Sequence, residues 1–228
     1  MTVCCVLVSG PVKTYDVDHV VRLERMVRRY LARPFRFVCF TDGTRGDLPC
    51  ETIRIPSSGP EVPENGRGYW AKAQLFNKAH GLEGRVLFLD LDVLVVNDLS
   101  PIVDFPAALA LTEDALVVER AHLDRDRYGR RLVRRFNSSV IVWDAGTQDF
   151  LYDRLTAADI LRLSTDQDWI GEQASAAVGM PLAWFPRISR VQPPWAADAK
   201  VVLVKKPKPA DACARWPWFE PMWGGWQP

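Results

Sequence analysis

The chain has 228 residues, of which 48% are hydrophobic and 25% charged, an ordinary globular composition with enough apolar side chains for a sizeable core. A formal net charge of +1 provides no global field, so neither nucleic acid nor an acidic membrane is an obligatory partner and any polyanion contact must be local. Cys4, Cys5, Cys39, Cys50 and Cys213 lack metal-site spacing, and three of them fall in strand-like apolar runs, so reduced, buried thiols in a cytoplasmic protein are expected.

The amino-terminal MTVCCVLVSGPV has no positive charge ahead of its apolar run, and the run is too short to span a bilayer. Neither secretion nor transmembrane anchoring is expected. VCCVLV (3–8) reads as a first buried strand, closed by the turn signal Ser9-Gly10-Pro11. From Asp16 to Leu31, Val17, Val20, Val21, Val27 and Leu31 recur at helical spacing, with Asp16 as the cap and Pro34 as the stop. FRFVCF (35–40) and ETIRI (51–55) are then second and third strands, and strand, helix, strand in this order argues a parallel unit. Residues 56–68 are rich in Pro and Gly and read as a loop; WAKAQLFNKAH (70–80) reads as a helix stopped by Gly81.

The stretch RVLFLDLDVLVVN (85–97) stands out. An apolar run of this kind is a strand buried on both faces, and two carboxylates inside one conflict with burial unless something neutralises them. Asp90 and Asp92 at the carboxyl end of a buried strand suit Mg²⁺ or Mn²⁺ that also holds a diphosphate. A strand ending at Asp90 with both acids simply solvated is the plain alternative.

Residues 107–112 resemble another strand. The segment 118–135 is strongly basic, and reads either as a solvated helix and loop or as a rim for a phosphorylated or polyanionic acceptor. SVIVW (139–143) is a further buried strand; 147–163 and 166–178 read as helices, and 201–204 as a last strand. The tail 210–228 carries Trp216, Trp218, Phe219, Trp223 and Trp226, which pack on the domain, stack on a sugar or meet a membrane interface; packing is the commonest role of such a cluster. There is no internal repeat and no linker separating two cores, so one domain is expected over 1–228.

Four segments, YWAKAQLF (69–76), RVLFLDLDVLVVNDLSP (85–101), FNSSVIVW (136–143) and TDQDWI (165–170), resemble in order and spacing the GT-A-fold glycosyltransferases of the glycogenin and lipopolysaccharide galactosyltransferase kind, the retaining family eight. The resemblance implies an α/β fold, a single GT-A (nucleotide-diphospho-sugar transferase) domain with a mixed, mainly parallel central sheet flanked by helices. It implies a nucleotide-sugar donor, most simply a UDP-hexose, and a divalent ion, Mn²⁺ or Mg²⁺, on Asp90 and Asp92. It places Lys72 and Lys208 on the diphosphate, with Lys205 as a further cation, and Ser9, Gly10 and Leu91 at the nucleotide. Asn137 and Ser138 would meet sugar hydroxyls, and Asp166 and Gln167 would hold the transferred sugar near its anomeric carbon, where Asp166 alternatively caps a helix. The acceptor, whether glycan, lipid, protein or other, is left open.

The resemblance departs at the carboxyl end. A third metal ligand, a His before Gly and Lys-Pro-Trp, is usual in the family; here the last His is His122 and the matching stretch is VVLVKKPKPA. The ion is then held by two carboxylates with phosphate and water, or Lys205 and Lys206 replace part of its charge, or the site is degenerate and only binds its nucleotide-sugar. An Asp-x-Asp phosphatase is a further alternative, but that class carries its motif on the first strand.

Overall fold

The computed structural model of the chain describes residues 1–8, 15–43, 46–56, 68–113, 125, 129–133, 135–188, 193–204 and 209–223. Its centre is a sheet of β1 (Thr2–Leu7), β2 (Arg36–Thr41), β3 (Glu51–Arg54), β4 (Arg85–Leu89), β6 (Leu109–Glu113), β7 (Phe136–Asp144) and β8 (Val178–Met180), in the order β3-β2-β1-β4-β7-β6-β8. The half built from β3, β2, β1 and β4 is parallel, as the strand, helix, strand reading required. β7 runs antiparallel to both β4 and β6, and β6 pairs in parallel with β8. The sheet is therefore mixed and flanked by helices.

Alternate side chains of the central strands enter two apolar clusters. Val3, Cys5 and Leu7 belong with α1 (Val17–Tyr30), whereas Cys4 belongs with the helical segment 68–76. That alternation is the period of two that a strand buried on both faces demands. Asp16 caps α1 through a capping box with His19, and Val20, Leu23 and Val27 form its buried stripe. The Cys4, Cys5 and Cys39 thiols are buried, and all five cysteines are free.

Several expected boundaries move. The expected helix over 70–80 is a 3₁₀ helix, Gly68–Phe76, followed by a separate turn Lys78–His80, because Asn77 breaks the run and caps the second piece through Ala79 N. Burial explains the departure: every residue from Trp70 to Phe76 is enclosed, so the segment has no polar face to give a period of 3.6. The expected helix over 147–163 is two, α3 (Phe150–Asp153) and α4 (Ala157–Arg162), the second started by a Thr156–Asp159 capping box. The helix expected to reach Val178 is α5 (Asp166–Gln173); Val178 instead opens β8, which is recruited by β6.

The stretch 85–97 is not one strand. β4 ends at Leu89, and β5 (Val93–Val95) leaves the main sheet to pair antiparallel with β9 (Val201–Leu203). Asp90, Leu91 and Asp92 form the corner between them. The corner is fixed at both ends: Asp90 N donates to Ser139 O at 2.9 Å, and Val204 N donates to Asp92 O at 3.0 Å. After β5 a short α2 (Ser100–Val103) leads into β6, and Arg85 donates to the carbonyls of Val103, Phe105 and Ala107 to hold that connection.

The tail packs. α6 (Pro209–Arg215) and α7 (Phe219–Trp223) lie against the cluster that holds α1, with Phe219 and Trp223 buried and Trp216 and Trp218 partly so. No helix among the described residues is long and apolar enough to cross a membrane.

Candidate active site

The four segments that carry the family resemblance meet at one ammonium group. Lys72 Nζ lies 2.8 Å from Asp90 Oδ1 and 3.8 Å from Asp166 Oδ2, and donates to both the carbonyl and the hydroxyl of Ser138 at 3.2 Å. Each partner comes from a different element: Lys72 from the 3₁₀ helix, Asp90 from the end of β4, Ser138 from β7 and Asp166 from the first turn of α5. All four sit at the carboxyl end of β4, beside the start of the antiparallel β7, the end of the parallel strands at which open α/β sheets receive ligands.

Lys72 is almost wholly enclosed. Burial works against its charge, but Asp90 and Asp166 outweigh burial and lift the ammonium above the ordinary lysine range. Asp166 is 5% exposed. Burial pushes its carboxyl up, and Lys72 and a hydrogen bond from Ser138 offset this only in part. Its Oδ2 is buried without any hydrogen-bond partner. An acceptor oxygen left in that condition is costly unless a ligand satisfies it. The cap of α5 is Thr165 and not Asp166, so the carboxylate is available for other work.

Asp92, two residues on from Asp90, has a different side-chain partner. Its Oδ2 accepts from the Tyr15 hydroxyl at 2.7 Å. Burial first, then the Asp92 charge, pushes the phenol up, so Tyr15 is a neutral donor. Between the acids, Leu91 is buried in the core. That side chain anchors the corner. Asn137 is buried beside Ser138, and its Oδ1 accepts from Ser139 N at 3.0 Å, which leaves its amide nitrogen as the group able to meet a sugar hydroxyl. Gln167 follows Asp166 on α5 and is half-buried. Ser9, Gly10, Lys205, Lys206 and Lys208 lie outside the described residues.

Sequence reasoning missed Tyr15 and Asp168. Asp168 is fully enclosed and accepts from Val133 N and Thr165 Oγ1, both at 2.7 Å, tying the end of the basic segment to α5. The described arginines of that segment are engaged: Arg131 pairs with Glu172, and Arg135 donates to the carbonyls of Ala174, Ser175 and Ala177. A shallow recess lined by Met1, Arg33, Arg85, Asp104 and Phe105 lies at the other end of the strands, where Arg33 and Arg85 are already paired with Asp104 and Asp144.

Among the described residues no group of three or more His, Cys, Asp or Glu side chains is placed to share a metal ion. Asp90 and Asp92 nevertheless offer hard carboxylate oxygens on a fixed corner. This donor set fits Mg²⁺ or Mn²⁺ as two ligands out of six, the remainder supplied by phosphate oxygens and water.

No protein-family profile matches the chain, and no curated protein matches it by sequence. Solved structures do. The galactosyltransferase LgtC, crystallised with donor and acceptor sugar analogues, superposes with a TM-score of 0.64 at 18% identity, over 100% of this chain and 97% of that one. The bifunctional glycosyltransferase WbbM matches with a TM-score of 0.60 at 14% identity, over 91% of this chain and 46% of that one. Mouse xyloside xylosyltransferase 1 matches with a TM-score of 0.54 at 11% identity, over 91% and 98%. The chain has the GT-A fold of these glycosyltransferases, as the four segments implied, and the phosphatase alternative falls with it: three parallel strands precede the Asp90 corner.

Proposed function

We propose that the chain is a glycosyltransferase that moves a hexose from a nucleotide-sugar, UDP-linked in the first instance, to an acceptor hydroxyl with retention at the anomeric carbon. The observation that carries this reading is the convergence of Asp90, Lys72, Ser138 and Asp166 at the corner after β4 of a GT-A fold. Asp90 and Asp92 would hold Mg²⁺ or Mn²⁺ against the two phosphates; when bound, the ion stabilises the negative charge that develops on the leaving diphosphate. Lys72 keeps Asp90 aimed at that place and adds a fixed positive charge behind it. The Asp166 carboxylate stands ready to offset positive charge at the anomeric carbon, with Oδ2, which accepts no hydrogen bond, supplying the contact. Asn137 and Gln167 orient the sugar. In this reading the acceptor hydroxyl approaches the face that the diphosphate leaves, and the departing phosphate takes its proton, so no side chain is assigned as general base.

A second reading has an observation of its own. Only two carboxylates are in place for an ion among the described residues, and Lys72 already neutralises one of them. The same geometry then describes a domain that binds a nucleotide-sugar and does not turn it over. Both readings predict that Mn²⁺ titrated into nucleotide-free protein binds more weakly than micromolar, measured by calorimetry, and that UDP tightens it; micromolar or tighter binding without nucleotide contradicts the two-carboxylate site. Thermal melting against a panel of nucleotide-sugars with Mn²⁺ tests the donor class. UDP-hexoses are expected to raise the Tm, and stabilisation by non-sugar purine nucleotides alone would reject the donor assignment.

A further inference from the structure

We propose that Tyr15 is a positioning residue for Asp92, and that the helix pair α6–α7 keeps Tyr15 in place through His19 and Trp223. The inference rests on the reading of Asp90 and Asp92 as the diphosphate and metal site. Tyr15 and Asp92 are 77 positions apart in sequence, and their side chains meet in the 2.7 Å bond from the phenol to Asp92 Oδ2. A carboxylate at the end of a short strand has two torsions to fix. Val204 holds the Asp92 backbone, and Tyr15 fixes the orientation of the side chain.

What steadies Tyr15 is a run of ring contacts. The Tyr15 ring meets the His19 ring edge-on, with centroids 5.2 Å apart and planes at 72°. His19 in turn meets Trp223 edge-on at 5.1 Å and 68°. His19 cannot swing freely, because its Nδ1 lies 2.7 Å from Asp16 Oδ1 in the capping box that starts α1. Trp223 is also held by Arg22, whose guanidinium sits 4.4 Å from the ring centroid and pairs with Glu220 at 2.8 Å. Cys213 Sγ donates to the same Glu220 from α6. The aromatic tail thus reaches Asp92 through three side chains. Partners that hold a ligating carboxylate in this way commonly change metal affinity by 10- to 100-fold when removed.

The test is calorimetric, on the full chain. Mn²⁺ is titrated into protein saturated with UDP, and UDP is titrated separately in the presence of EDTA. Tyr15→Phe, which keeps the ring and loses the hydroxyl, is expected to weaken Mn²⁺ about 10-fold or more and to leave UDP binding in EDTA unchanged. Trp223→Leu is expected to weaken Mn²⁺ in the same direction, Trp223→Phe to restore part of it, and the Tyr15→Phe/Trp223→Leu double variant to bind no more weakly than Tyr15→Phe alone. Thermal melting of each variant separates these effects from loss of fold. Wild-type Mn²⁺ affinity in Tyr15→Phe overturns the proposal, as does an equal loss of UDP affinity in EDTA, which would make Tyr15 a nucleotide contact. Additive losses in the double variant overturn the role of the tail. Absence of any Mn²⁺-dependent UDP binding in the wild type rejects the reading of the site itself, together with the inference built on it.

Discussion

Lys72→Met is expected to destabilise the protein by about 3 kcal/mol, the cost of removing one partner from a buried ion pair, which for a chain of this size lowers the Tm by roughly 8 °C. The substitution keeps the bulk of the side chain and deletes the charge. Asp90 and Asp166 then face each other across the space that the ammonium occupied at 2.8 and 3.8 Å, and the Ser138 carbonyl loses its donor. A surface lysine would not behave this way, because exposed pairs contribute little. The loss is expected to shrink at low pH, where a carboxyl takes up a proton and the repulsion disappears. Mn²⁺ with UDP is expected to recover part of it at neutral pH, since an ion held by Asp90 restores a positive charge beside the carboxylates. Urea unfolding at two pH values, with and without Mn²⁺ and UDP, measures all three effects.

Asp166→Asn is expected to separate activity from stability. Transfer should fall by on the order of 100-fold or more, the scale seen when one preorganised electrostatic group is removed from a reaction centre. The fold should survive. Burial raises the Asp166 carboxyl, so the ionised form is a cost to the folded state at neutral pH, and a neutral amide of the same shape does not incur it. The sign of the pH dependence follows. A carboxyl whose folded pKa is raised binds its proton more readily in the folded than in the unfolded chain, so its contribution to stability is greatest below the ordinary carboxylate range and is lost as pH rises through the raised value. The stability of wild type relative to Asp166→Asn should therefore improve as pH falls through that window. A variant that loses activity and unfolds equally at every pH would instead give Asp166 a packing role.

The parallel half of the sheet was readable because buried strands and a capped amphipathic helix leave strong periodic signals: VCCVLV, FRFVCF and the Asp16 cap all fall where they were expected. The charge at Asp90 and Asp92 inside an apolar run was displayed directly by the sequence, but the break of 85–97 into β4 and β5 was not, because β5 leaves the sheet to pair with the distant β9. The helix over 70–80 misled because a fully enclosed segment shows no polar face, and nothing in WAKAQLF distinguishes a 3₁₀ from an α-helix. The break within 147–163 was legible in principle, since Thr156 and Asp159 have the spacing of a capping box. β8 was not, because its pairing with β6 is a tertiary event and VGM by itself continues a helix as well as it starts a strand. At the site, the order of Lys72, Asp90, Ser138 and Asp166 along the chain predicted roles, whereas their meeting at one ammonium is visible only in three dimensions. Tyr15 lay in no periodic element, and an aromatic residue just ahead of a helix cap is too common to single out.

The central claim is that the corner at Asp90 and Asp92, backed by Lys72 and Asp166, breaks the bond between a sugar and a nucleoside diphosphate. Its most direct test is release of UDP from UDP-glucose and UDP-galactose without acceptor, followed by NMR with Mn²⁺ or with EDTA. The account predicts slow release that requires the metal and is lost in Asp92→Ala while the variant stays folded. Release that is indifferent to both EDTA and Asp92→Ala, or binding of these donors with no release from any of them and from a wider panel, would contradict it.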